Sequence, residues 1–168
     1  MVSLPDPDDF PYFEQDPDLP LCVPACVLMV YEYLGIEKDW SELLEELHYE
    51  PAVGTEFENC AKLTGVRPLR IEDVDEVENY LQRPAPSPVI ANLYVPDESV
   101  LGYSLEDPLH AVVIVAIDDT TVTFSDPLSH YGISTTLHQT CDIQRFRNAW
   151  MGGFVLLPPA GEAELEET

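Results

Sequence analysis

Apolar residues follow two different periods along this chain, one in each half. From Leu21 to Leu34 nearly every position is apolar (L-C-V-P-A-C-V-L-M-V-Y-E-Y-L), so no face is reserved for solvent, and Gly35 follows as a stop. Pro20 and Pro24 fall at or before the first turn, where a missing N–H costs little. The segment is predicted to be a buried central helix. Asp39–Tyr49 places Leu43, Leu44 and Leu47 at helical spacing, and Thr55 with Glu58 has the form of a capping box for a helix ending at Leu63.

The second half shifts toward strand. After a short strand at Pro68–Ile71 and a helix at Val74–Leu81, the run R-P-A-P-S-P (Arg83–Pro88) interrupts the chain. Pro88–Tyr94, His110–Ile117 and Thr121–Ser125 are rich in Val, Ile and Thr and read as strands, with Asp118, Asp119 and Thr120 as the turn between the last two. A further strand is expected near Ile133–Leu137. Asp142 is placed to cap a helix through Trp150, and Gly152–Leu157 reads as a final strand stopped by Pro158 and Pro159. Helices first and antiparallel strands second is the α+β order, with a central N-terminal helix packed against an antiparallel sheet. Four prolines among acids over Met1–Asp18 predict an extended acidic arm, so one domain is expected over residues 1–160 and an acidic, disordered tail over 161–168.

Composition narrows the function classes. With 45% hydrophobic and 23% charged residues in 168, the chain can bury one core and is too apolar for wholesale disorder. Seven basic against 32 acidic side chains give a net charge of −25, which leaves no basic patch to displace counterions from phosphates, so nucleic acid is excluded as a partner. The longest uncharged apolar stretch, Leu19–Tyr31, contains two prolines and is shorter than the ~20 residues a bilayer span needs. No span is therefore expected. Met1–Asp18 has no Lys or Arg to open a secretory signal, which makes the cytoplasm the expected compartment and free thiols the expected state of Cys22, Cys26, Cys60 and Cys141.

Three residue types stand at element ends, where an exposed site can form. Cys22 begins the apolar helix, where unpaired backbone N–H groups and the helix dipole stabilise negative charge, whereas Cys26 lies one turn further in as a core residue. His110 opens the most strand-like segment, and Asp126 ends the following strand, so a hairpin turning at Asp118–Thr120 brings base and carboxylate together. A thiol, an imidazole and an orienting acid are the parts of a nucleophilic site. Cys22 and Cys26 with His48 or His110 are zinc-ligand residue types, but no second close-spaced ligand pair exists, so neither metal nor cofactor is expected. His48, His130 and His138 have no partner pattern.

These residues resemble a known family. The stretch Q-D-P-D-L-P-L-C-V-P-A-C-V-L-M-V-Y-E-Y-L-G is similar to the nucleophile motif of the bacteriocin-processing (double-glycine leader) type of papain-like cysteine peptidases: Gln, a short spacer, Cys-Gly-Pro-Ala, then an apolar helix ending in Tyr-x-Gly. In that family a His opening a Val-rich strand precedes an Asp-Pro after the next strand, as His110 and Asp126-Pro127 do here. D-I-Q-R-F-R-N-A-W-M-G-G-F-V-L-L is similar to the family's closing helix and strand, and the resemblance spans about Phe10 to Pro158. It implies a papain-like fold with Cys22 as nucleophile, His110 as general base and acid, Asp126 as orienter and Gln15 as oxyanion-hole donor. Val23 stands where the family has glycine, and its larger side chain is expected to crowd the site. The implied function is a cysteine peptidase acting on a peptide or protein, cutting after small residues such as glycine; the alternative is an inactive papain-like module that binds peptides or a protein partner.

The acids outside the tail are spread over loops and helix faces, and lysines number only two, Lys38 and Lys62, a pattern that fits a protein working in concentrated salt. The Debye length falls from about 10 Å at 0.1 M to about 3 Å at 1 M. The melting temperature is therefore expected to rise steeply between dilute and molar KCl, and a melting temperature independent of KCl would remove the high-salt reading.

Overall fold

A strand with eight of its nine positions buried must be covered on both faces, and β4 (Leu109–Ile117) is such a strand. The computed structural model describes residues 1–128 and 138–159. Around β4 the sheet runs in the order β2 (Arg67–Ile71), β7 (Trp150–Leu157), β3 (Val89–Tyr94), β4, β5 (Thr121–Ser125) and β6 (His138–Asp142), every described pair antiparallel. β1 (Val2–Ser3) pairs with the far end of β4, opposite Ile117 and Ala116. The predicted central strands are found within a residue or two of their expected bounds. The strand expected at Ile133–Leu137, His130 and the tail at 161–168 lie outside the described residues.

The predicted central helix is α1 (Cys22–Tyr33), packed against β4, with eight residues from Val23 to Tyr31 buried. Its end is a Schellman motif: Gly35, at φ +72°, donates to the Glu32 carbonyl while the Ile36 N–H donates to that of Tyr31. The left-handed backbone is why a glycine stands there. α2 (Trp40–Glu46) begins at Asp39, whose carboxylate accepts from the Glu42 N–H. α4 (Ile143–Ala149) begins likewise at Asp142, and Trp150 has already passed into β7 rather than ending the helix.

Two expectations need correction. The capping box at Thr55 and Glu58 does not form: Phe57–Lys62 is a 3-10 helix without a side-chain cap, and the Thr55 hydroxyl is buried without a described partner. Phe57, Cys60 and Leu63 are all buried and lie three apart, which matches three residues per turn and not 3.6. Val74–Glu76 is also 3-10, and only Val77–Leu81 (α3) continues as α-helix.

The proline-rich arm is docked on the domain instead of standing away from it. Beyond β1, the Leu4 N–H donates to Val115 O at 2.9 Å, and Leu4 and Phe10 are 1% and 4% exposed, so both belong to the core. Phe10 stacks on Tyr33 and Phe13 on Trp40, with ring centroids 5.6 and 5.1 Å apart. The prolines leave the arm only a single 3-10 turn, Pro7–Asp9, and its apolar side chains dock on either side of it. None of the described helices is long and apolar enough to cross a membrane.

Leu4→Ala is expected to destabilise the domain by about 2–5 kcal/mol, the range for a buried leucine truncation, in equilibrium urea unfolding. A freely solvated arm would show no change.

Candidate active site

The site begins with a turn. Asp118 accepts from the backbone N–H groups of Thr120 (2.8 Å) and Thr121 (2.7 Å) and from both hydroxyls, which hold its carboxyl down at about 2 and close the β4–β5 hairpin. From that turn Ile117 faces Val122 and Ala116 faces Thr123, but after a bulge at Val115 the partners become Ile114 with Phe124 and Val113 with Ser125. The extra residue on β4 changes which side chains share a face. Continued one step, this register sets Asp126 beside Val112, on the same face as His110; the unbulged register would set it beside Val113, on the other face. His110 Nε2 and Asp126 Oδ1 are 2.8 Å apart as a result, with both residues buried.

Cys22 is the first residue of α1, after a Leu21 N-cap that offers no side-chain partner. It is half-buried, while Cys26, Cys60 and Cys141 are buried. Its sulfur is near enough to His110 to help raise the imidazole's pKa. Since Nε2 faces Asp126, Nδ1 is the ring nitrogen left for the sulfur. The structure thus brings together the thiol, imidazole and carboxylate singled out in the sequence.

Asp126 is completely buried, and its carboxylate is fully engaged. Oδ1 takes His110 and the Leu128 N–H (2.9 Å), Oδ2 takes the Tyr103 hydroxyl, and the backbone carbonyl takes the Tyr12 hydroxyl at 3.1 Å. Burial pushes the Asp126 carboxyl up, but the His110 charge and the hydrogen bonds from His110, Tyr103 and Leu128 outweigh it, so the acid stays ionised. For His110, burial favours the neutral ring, and the Asp126 carboxylate with the Cys22 contact reverses that, so its pKa is raised.

Gln15 is buried between the two halves of the site. Its backbone N–H donates to Pro127 O (3.0 Å) and its Nε2 to Leu19 O (3.1 Å), which ties the residue after Asp126 to the segment that feeds α1. Its Oε1 is buried without a described partner. The side chain of Val23, expected to crowd the site, is packed in the hydrophobic core, 6% exposed. Burial raises the thiol pKa of Cys26 well above its ordinary value and pushes Cys60 and Cys141 up to about 12 and about 11. His138 hydrogen-bonds Pro7 O, while His48 lies on the surface. Among the described residues no group of three His, Cys, Asp or Glu is close enough to hold a metal ion.

Tyr103 and Tyr12 were not singled out in the sequence. Both lie in aperiodic loops, and the only signal is an aromatic ring with a hydroxyl in an otherwise polar, turn-rich stretch.

Two measurements check this geometry. Iodoacetamide at mildly acidic pH is expected to label Cys22 before the three buried thiols, and faster labelling of Cys60 or Cys141 would contradict the arrangement. In NMR titrations His110 should hold its proton through pH 7. Asp126→Asn should lower its titration markedly, because burial is then opposed only by the neighbouring Cys22. A raised folded-state pKa stabilises the fold fully below the unfolded value of about 6.5, and that contribution fades as pH rises through the folded value.

The comparisons with known proteins agree with this architecture. A C39-like peptidase from Bacillus anthracis superposes with a TM-score of 0.64 at 18% identity, over 95% of this chain and 98% of that one. The peptidase domain of Streptococcus ComA, a bifunctional ABC transporter involved in a quorum-sensing pathway, gives 0.64 at 18% identity over 89% and 98%. A double-glycine motif protease from an AMS/PCAT transporter, solved in complex with its leader peptide, gives 0.60 at 13% identity over 94% and 99%. These likenesses establish a papain-like fold. No curated protein matches the sequence. The model of the Peptidase C39-like family matches residues 7–152, nearly the whole domain, and this chain belongs to that family.

Proposed function

We propose that this domain is a cysteine peptidase in which Cys22, His110, Asp126 and Gln15 act together. The observation that carries the reading is the buried His110–Asp126 pair, 2.8 Å apart, beside a half-buried cysteine at a helix start that helps raise the imidazole's pKa. In this reading the Cys22 sulfur, its proton taken by His110, attacks a peptide carbonyl. His110 then protonates the leaving amine, and water attacks the resulting thioester to release the acid and restore the thiol. Asp126 holds the ring with Nδ1 toward the sulfur and stabilises the imidazolium that forms. Gln15 Nε2 has one hydrogen on Leu19 O and a second for the oxyanion, beside the N-terminal N–H groups of α1.

The substrate class follows from the family and one relative. A peptide enters as an extended segment, and cleavage after small residues such as glycine is the specificity proposed, supported by the double-glycine motif protease held with its leader peptide. The core position of Val23 supports the reading of an active site over that of an inactive module.

Glycine-rich peptides with a fluorescent leaving group provide the test. Turnover should vanish in Cys22→Ala and fall by roughly 10²-fold or more in Asp126→Asn, with both variants folded. Unchanged hydrolysis in both would place the activity elsewhere, and wild-type binding without hydrolysis would establish the binding-module alternative.

A further inference from the structure

The connection between β3 and β4, residues 95–108, does more than join two strands. Its base is pinched by the Val95 N–H on Pro108 O at 2.7 Å, and Val100 and Leu101 anchor its middle in the core. Gly102 follows at φ +81°, a left-handed conformation with nothing within 4 Å of where a Cβ would stand, so the glycine is there for the backbone and not for space. That turn delivers Tyr103, whose ring packs on the core and whose hydroxyl reaches Asp126 Oδ2.

We propose that Tyr103 is a positioning residue of the site: its hydroxyl holds Asp126 by Oδ2 so that Oδ1 stays on His110 Nε2. This rests on the peptidase reading of Cys22, His110 and Asp126. The geometry makes the two carboxylate oxygens unequal. Oδ1 is held by His110 and by the Leu128 N–H, while Tyr103 is the donor on Oδ2. A carboxylate torsion is broad and two-fold, so a buried oxygen without a donor lets the group turn and carries a desolvation cost besides. The phenol remains the donor, since burial first and the Asp126 charge second push its pKa far above neutrality. The other titratable groups facing this carboxylate are His110 from β4, Cys22 and Cys26 from α1 and Tyr12 from the arm. The Tyr12 hydroxyl donates to the Asp126 backbone carbonyl, whereas the Tyr103 hydroxyl donates to the carboxylate itself.

Tyr103→Phe keeps the ring and removes the hydroxyl. Without that donor Asp126 becomes easier to protonate, and a neutral Asp126 no longer supports the imidazolium. The acid limb of Cys22 alkylation by iodoacetamide, and of kcat/KM on a glycine-rich peptide, should move up by about one to two pH units, the size of one hydrogen bond to a charged group. Kcat should fall about tenfold with KM within about twofold, the pattern of a lost transition-state interaction. Gly102→Ala, which strains the delivering turn and leaves the hydroxyl in place, should move the limb in the same direction by less. Acid limbs coincident with wild type in both variants, while Asp126→Asn displaces its own, would overturn the proposal and leave Tyr103 a packing residue. A wild type that hydrolyses no peptide, with an alkylation limb that still moves in Tyr103→Phe, would sink the peptidase reading and sustain the positioning role. An alkylation limb indifferent to Asp126→Asn would overturn both.

Discussion

A fully buried carboxylate is the constraint on which the rest of this site depends. An ion the size of Asp126 cannot leave water unless donors and an opposite charge replace what it loses. Here those groups come from β4, from the β3–β4 connection, from the backbone just after Asp126 and from the N-terminal arm, with Tyr12 securing the backbone carbonyl. Segments more than a hundred residues apart in sequence thus meet at one residue. The same requirement explains why His110, buried almost as deeply, has its pKa raised: without the carboxylate its burial would favour the neutral ring.

Burial also sorts the four cysteines. All are free and two lie on the same helix, one turn apart, yet only Cys22 retains access to solvent. A buried thiol loses the hydration that stabilises a thiolate, so Cys26, Cys60 and Cys141 serve as small apolar fillers. On α1 the difference between a half-buried and a fully buried sulfur is one helical turn of depth. Val23 follows the same logic, since the β-branched side chain next to Cys22 is packed into the core.

The arm and the loops do work that composition alone would not assign to them. Prolines and acids over the first eighteen residues describe a segment with no helix, and it becomes a docked strand, two aromatic contacts and a hydroxyl on Asp126. Gln15 lies on the same arm and links the residue after Asp126 to the entry of α1. The arm is in this sense one wall of the site.

Most of the regular structure was legible in the residues because local chemistry is enough to specify it. A nearly continuous apolar run ending in glycine is a buried helix, β-branched runs around Asp118–Thr120 are a hairpin, and Asp39 and Asp142 cap helices whatever lies beyond them. Cys22, His110 and Asp126 were legible as well, from their places at element ends and from a motif resemblance. The tertiary structure alone decided what depends on partners distant in sequence. Thr55 and Glu58 carry a capping-box pattern, yet the core selects a three-residue period for Phe57, Cys60 and Leu63. The bulge at Val115, which turns Asp126 to the face of His110, leaves no mark in a run of apolar residues that read alike on either face. Tyr103 and Tyr12 have no periodicity to reveal them, because their role is set by a buried charge that exists only once the chain has closed around it.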